Sequence, residues 1–164
     1  RPKCVNNNLV SDVDNDILKI AVINRYEKKK IALGFIKNFG LKKGAIASSV
    51  AHDSHNIVVI GCSDEEMARA ANMIIKSKGG LVAWSYDQHK CIPLPIAGLM
   101  TNQNGYKIAG DYLLLVALAK EFGSTLNDPF MTMGFMSLLV IPKLKLSDKG
   151  LFDCEKFQLT ELFE

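Results

Sequence analysis

The sequence has no C-x-x-C pair, no G-x-S-x-G motif, no internal repeat and no low-complexity tract. Its four cysteines, Cys4, Cys62, Cys91 and Cys154, lie far apart, which excludes a zinc knuckle and a thioredoxin-like site. Basic charge is also scarce. The net charge is +3 and the one basic run is "EKKK" (Glu27 to Lys30), which reads as a solvated turn. Nucleic-acid binding needs a concentrated basic face, so no nucleic-acid partner is expected. The longest apolar run, Leu113 to Ala119, is too short to span a bilayer, so no membrane partner is expected either. The chain opens on Arg1 rather than Met, which fits an excised fragment. Scattered cysteines without a leader-like segment suggest reduced thiols in a cytoplasmic protein.

What remains is an ordinary globular composition, 48% hydrophobic and 23% charged. A chain of 164 residues is within the size of one domain and long enough to bury roughly 70% of its unfolded surface without disulfide staples. Residues 1–16, with "NNN" and "SDVDND", read as a polar lead-in, and residues 17–164 as a single domain. Strands are predicted at Ile17 to Tyr26, Ile31 to Phe39, Ala45 to Ala51 and Asn56 to Cys62, the first two joined as a hairpin. Ser63 and Glu66 form an S-x-x-E capping box. Met67, Ala70, Ala71, Ile74 and Ile75 then make one apolar helical stripe, closed by Gly79 as a C′ glycine. A strand follows at Gly80 to Tyr86. "CIPLPIAGLM" (Cys91 to Met100) reads as an extended edge or crossing segment, because Pro93 and Pro95 cannot donate ladder hydrogen bonds.

A second helix is predicted from Tyr106 to Phe122, apolar nearly all round and therefore buried on two sides. Asp128-Pro129 reads as N-cap plus N1 proline of a Met- and Phe-rich helix to Leu138. A turn at Asp148 to Gly150 and a last strand in "CEKFQLTELF" complete the chain. The fold class is α+β: a mixed, largely antiparallel sheet covered by about three helices.

Chemistry concentrates in "AHDSHN". His52, Asp53, Ser54, His55 and Asn56 stand between two buried strands. Imidazoles and a carboxylate suit zinc, iron or manganese, with His52, Asp53 and His55 as accessory ligands. One tight loop rarely supplies a full ligand set, and the third histidine, His89, lies in another turn. A Ser-His-Asp nucleophile is disfavoured because triads assemble from distant segments. Substrate recognition, or a structural turn capped by Asp53 and Asn56, are the other readings. Trp84, alone on a strand, reads as core. The Met/Phe stripe reads as core, or as an interface against a second domain.

Four strings, "GLKKGAIASSVAHDSHNIVVIG", "CIPLPIAGLM", "DPFMTMGFMSL" and "VIPKLKLSDKGLFD", together resemble the C-terminal domain of the bacterial and archaeal adenine deaminases, over about Ile17 to Phe157. The H-x-E and P-C-x-x-C pattern of the unrelated tRNA-type zinc deaminases is absent. The resemblance implies amidohydrolase chemistry in purine salvage and adenine catabolism. Adenine and water give hypoxanthine and ammonia, with a divalent metal, manganese or iron, activating the water in the full-length enzyme. The family's metal ligands sit on a TIM barrel with an H-x-H motif, and this chain has neither the length of a barrel nor that motif. The resemblance thus implies a barrel domain as partner, adenine as substrate and room for a homo-oligomer, with no metal held by this chain alone. His52 to Asn56 become candidates to bind substrate or complete the site, leaving the isolated chain inactive. The alternative is a non-catalytic module that docks on the barrel or builds the oligomer.

Overall fold

The computed structural model describes residues 3–162. The elements are β1 (Lys3–Val5), β2 (Asn8–Val10), β3 (Ile17–Ile23), β4 (Ala32–Lys37), β5 (Ala45–Ser48), β6 (Ile57–Gly61), α1 (Asp64–Lys76), β7 (Gly80–Trp84) and β8 (His89–Pro93). They continue with α2 (Gly105–Glu121), α3 (Pro129–Gly134), β9 (Leu144–Ser147), β10 (Gly150–Asp153) and β11 (Gln158–Leu159). The α+β reading holds. Six strands form one sheet in the order β4-β3-β6-β5-β7-β8. Every pair in it is antiparallel, so the mixed component is missing among the described residues.

Both faces of the sheet are covered, which explains why its strands read as nearly continuous apolar runs. Period-two alternation sends Leu18, Ile20, Val22, Ile46, Val58 and Ile60 to one face. There they meet Leu115, Ala119 and Phe122 from α2 and its end, Phe130 and Met133 from α3, and Leu146 from β9. Ala21, Ala45, Ala47, Val59 and Val82 point the other way, against Met67, Ala70, Ala71 and Ile74 of α1. Alanine on both sides of that second contact lets the helix lie close to the strands. A Cβ on Gly61 would come within 2.6 Å of Met67 Cγ, which shows how little room is left.

The capping box is present and does more than end a helix. Ser63 Oγ accepts from Glu66 N, and Glu66 Oε2 accepts from the Ser63 hydroxyl. Glu66 is buried, and its Oε1 accepts from Gly44 N at 2.8 Å, tying α1 to the turn before β5. The C-terminus of α1 differs from the sequence reading. Its C-cap is Ser77, and the left-handed C′ position is filled by Lys78, with φ of 60°. Gly79 N donates to Ile74 O and Lys78 N to Ile75 O, a Schellman motif shifted one residue from the one predicted. Ile75, assigned to the buried stripe, is 56% exposed.

Four further expectations change. The polar lead-in contains a hairpin: Asn6 and Asn7, both at positive φ, make the two-residue turn between β1 and β2. β8 is indeed an edge strand, but "CIPLPIAGLM" stops extending at Pro93, and Ile96 and Met100 close a turn by mutual backbone hydrogen bonds. α2 is buried on one side only. Leu115 and Ala119 are buried, whereas Leu113 and Leu114 are exposed. α3 is also shorter than predicted, ending at Gly134 in a series of turns, although Asp128 caps it as expected by accepting from Met131 N.

Trp84 is half-buried at the end of β7 and lies edge-on to Tyr86. All four cysteines are free thiols, and burial pushes Cys62 up to about 12, far from the thiolate range at neutral pH. Among the described residues no helix is long and apolar enough to cross a membrane.

The double role of Glu66 gives a ranked prediction. Ser63→Ala removes a cap and costs about 1 kcal/mol. Glu66→Ala also strands the buried Gly44 amide and costs about 2 kcal/mol or more. Urea denaturation of the two variants checks the order.

Candidate functional site at one end of the sheet

Antiparallel pairing brings five connections to one end of the sheet. The end of β3 supplies Asn24, Arg25 and Tyr26, and the β5–β6 connection supplies Ser49 to Asn56. The loop after β8 adds Ala97 and Gly98, the chain after α3 adds Phe135 and Ser137, and the β9–β10 turn adds Asp148. Burial of both sheet faces leaves this rim as the place where polar side chains collect.

The turn 52–56 is held mainly through its backbone. His52 N donates to Gly134 O at 3.0 Å, and Ser137 Oγ donates to His52 O at 3.1 Å. His55 N donates to Ala51 O at 2.7 Å, while His55 Nδ1 accepts from Ala51 N at 3.3 Å. Tyr26 Oη donates to Ser54 O at 2.9 Å. Asn56 is buried, and its Oδ1 accepts from Arg25 N, so this member of the cluster is structural. Asp53 and Ser54 keep their side chains exposed. The His52 ring stacks on Phe135 at 5.3 Å between centroids, and His55 meets it edge-on at 5.5 Å.

Arg25 locks the neighbouring loop. Its Nη2 donates to Ala97 O at 2.6 Å and reaches Tyr26 Oη at 3.2 Å, and its guanidinium lies 5.1 Å from the Tyr26 ring centre. Ala97 and Gly98 both have positive φ, and any Cβ at Gly98 would strike the guanidinium. The hydroxyl of fully buried Ser49 accepts from Gly80 N at 2.8 Å and donates to Gly98 O at 2.5 Å. Asn24 Nδ2 donates to Asp148 Oδ2 at 2.7 Å, fastening the β9–β10 turn to the same rim.

His55 is held below the usual imidazole range, first by burial, then by the nearby His52 and the Arg25 charge, with Asp53 opposing. It is therefore neutral at neutral pH. Because Nδ1 accepts a backbone hydrogen bond, Nε2 carries the proton and is the free donor. The rim also carries a cavity of about 230 Å³ lined by Asp53, Ser54, Asn56, Ser137, Asp148 and Lys149 among others.

Of the five residues singled out by sequence, the structure gathers all in one turn and separates their roles. His52, Asp53, Ser54 and His55 offer chemistry, and Asn56 is internal. His89 pairs with Trp84 at the opposite end of β7. Among the described residues, no three of His, Cys, Asp and Glu come together as metal ligands. His52, Asp53 and His55 are thus not gathered as a three-ligand cluster among the described residues. Sequence reasoning missed Asn24, Arg25, Tyr26, Ser49 and Asp148. The signal for the first three was the abrupt polar triplet "NRY" after "ILKIAVI".

A family model described as "Adenine deaminase C-terminal domain" matches residues 1–158. The chain belongs to the adenine deaminase C-terminal domain family. An adenine deaminase of Methanosarcina acetivorans is 51% identical over 162 residues, 99% of this chain and 29% of that protein. One from Borreliella afzelii is 54% identical over 149 residues, 90% of this chain and 27% of its own length. One from Methanothermobacter thermautotrophicus is 49% identical over 154 residues, 94% of the chain and 29% of the relative. The chain therefore spans less than a third of the curated relatives it matches. In an adenine deaminase C-terminal domain, the polar rim is one part of a larger molecule.

The state of His55 has a measurable sign. Its folded value lies below the ordinary 6.5, so the unfolded chain takes up this proton first as pH falls. Its contribution is complete above the unfolded value and is lost as pH falls from there through the folded one. NMR titration of the His55 ring should show a midpoint below the ordinary 6.5.

Proposed function

We propose that this domain completes or closes the active site of an adenine deaminase whose metal ligands lie on a separate barrel domain. The observation that carries the proposal is the rim itself. Four side chains with exchangeable protons or lone pairs stand on a turn fixed by backbone hydrogen bonds, at a sheet end where neighbouring loops are also clamped. The cavity there is smaller than the roughly 300–1,000 Å³ of a complete ligand pocket. It is the size of a half-site that a second surface would finish.

In the whole enzyme, manganese or iron held by the barrel domain would lower the pKa of water so that hydroxide is available near neutral pH. The residues of this chain do the rest of what is proposed here. Neutral His55 donates from Nε2 to a purine ring nitrogen. Asp53 accepts from and Ser54 donates to the amidine edge, both being exposed, and His52, stacked on Phe135, holds the His55 ring edge-on. A site that satisfies each ring nitrogen rejects purines that lack the matching groups. Ammonia leaves once a carboxylate or imidazole has delivered its proton. The reaction is hydrolysis of a cyclic amidine, set in cytoplasmic purine salvage.

The alternative, a domain that only stabilises the barrel or the oligomer, is distinguished by kinetics. In the full-length enzyme, His52→Ala and His55→Ala should each lower kcat/KM by about 10-fold or more while metal content, by elemental analysis, stays unchanged. Unchanged turnover in both variants would leave the turn a structural element. The chain alone, given adenine and manganese, should release no ammonia, since it lacks a three-ligand metal cluster among its described residues.

A further inference from the structure

The α1 face of the same sheet end holds a second cavity, of about 330 Å³, within the size range of small-ligand pockets. Ile23 and buried Ile57 and Ile74 give it an apolar wall, to which exposed Ile75 adds. Its charged side chains among the described residues are Arg25 and Lys78, and no acidic residue lines it. Seven ion pairs form among the described residues, and neither of these cations belongs to one. Of the guanidinium nitrogens, Nη2 bonds Ala97 O and Tyr26 Oη, whereas Nε is buried with no acceptor. A buried donor without a partner is costly, so each such case calls for an explanation.

Close backbone approach builds the cavity. A Cβ on Gly79 would strike Gly98 Cα, and a Cβ on Gly98 would strike Arg25 Nη1. The end of α1 thus lies against the 97–98 turn beside the guanidinium, which brings Lys78 and Arg25 to one place. Lys78 stands at the left-handed C′ position of α1, with φ of 60°, where glycine is the usual residue. A lysine bears backbone strain there that glycine would avoid. Offsetting the helix dipole does not require it, since Lys76 already puts a cation in the last turn. Strain kept at such a position points to a use for the side chain.

The remaining donors say which anion fits. The backbone N–H groups at this end of α1 are already engaged: Lys78 N by Ile75 O, Gly79 N by Ile74 O and Gly80 N by Ser49 Oγ. That leaves one guanidinium and one ammonium, which match the two oxygens of a carboxylate. A phosphate, with three terminal oxygens, would find no backbone amide to cradle it, and the negative end of the α1 dipole disfavours a dianion. The isoleucines call for a hydrocarbon on the same molecule.

We propose that this cavity binds a carboxylate carried on an apolar stem, with Arg25 and Lys78 on the carboxylate and the four isoleucines on the stem. The stem belongs either to a free organic acid or to an acidic side chain of the full-length enzyme outside this chain. The inference goes beyond the reading of the rim and does not rest on it. The rim cavity borders Val22 on the opposite face of the sheet and is lined by neither cation.

The test titrates hexanoate, hexanol and inorganic phosphate into the ¹⁵N-labelled chain, followed by amide NMR, and into the full-length enzyme, followed by calorimetry. Hexanoate should shift the amides of Ile57, Ile75, Lys78, Gly79 and Gly98 saturably, and bind the chain at least about 10-fold more tightly than hexanol or phosphate. Lys78→Gly should weaken hexanoate about 10-fold while keeping the fold, because glycine is favoured at that left-handed position. Lys78→Arg should retain binding. Hexanoate bound by both chain and full-length enzyme identifies a free acid as the occupant. Hexanoate bound by the chain alone identifies an acidic side chain of the enzyme itself. No saturable shift in the chain, shifts confined to other amides, equal binding of hexanol or phosphate, or undiminished binding by Lys78→Gly would each overturn the proposal.

Discussion

Everything else in this fold follows from burying both faces of one antiparallel sheet. A strand with two dry faces carries few polar side chains along its length, buried Lys19 of β3 needing Asp64 as a partner, so most are displaced to its ends. The backbone groups that leave the ladder there still need partners. The hydroxyl of Ser49 answers that need at the crowded end, joining the start of β7 to the loop after β8 from a fully buried position. Arg25 and Tyr26 repeat the arrangement one layer further out. The rim is thus the polar remainder of a doubly covered sheet, and its rigidity comes from the same backbone accounting.

The periodic elements were legible because their signals are local. The capping box before α1, Asp128-Pro129 before α3 and the prolines that mark β8 as an edge each state a backbone constraint in two to four residues. Features set by long-range packing were hidden. The apolar circumference of α2 predicted burial on two sides, yet a 3.6-residue period cannot tell a face covered within the chain from one left for another molecule. "NNN" read as an unstructured lead-in, although asparagine is also among the residues best suited to left-handed turns, as Asn6 and Asn7 show. Lys78 at a C′ position was invisible because glycine stood next door and offered the obvious choice.

The site was legible in part for the same reason. The turn His52 to Asn56 stands out as a polar block between apolar runs. Its clamps do not, since Arg25, Ser49 and Asp148 lie 31 to 124 residues from the groups they bond at the rim. Asn56 looked as chemically capable as its neighbours until burial and its hydrogen bond to Arg25 N gave it a structural role.

The turn is gripped chiefly by main-chain atoms: His52 N and O, Ser54 O and His55 N. Those atoms are the same whatever side chain stands at 53 or 54. Position and chemistry are therefore separately heritable here. Selection can exchange the side chains that the turn presents without disturbing where they stand, and can tune the clamps without changing what is presented. For a domain that is less than a third of its relatives' length, such a mount would let one scaffold follow drift in the molecule it serves.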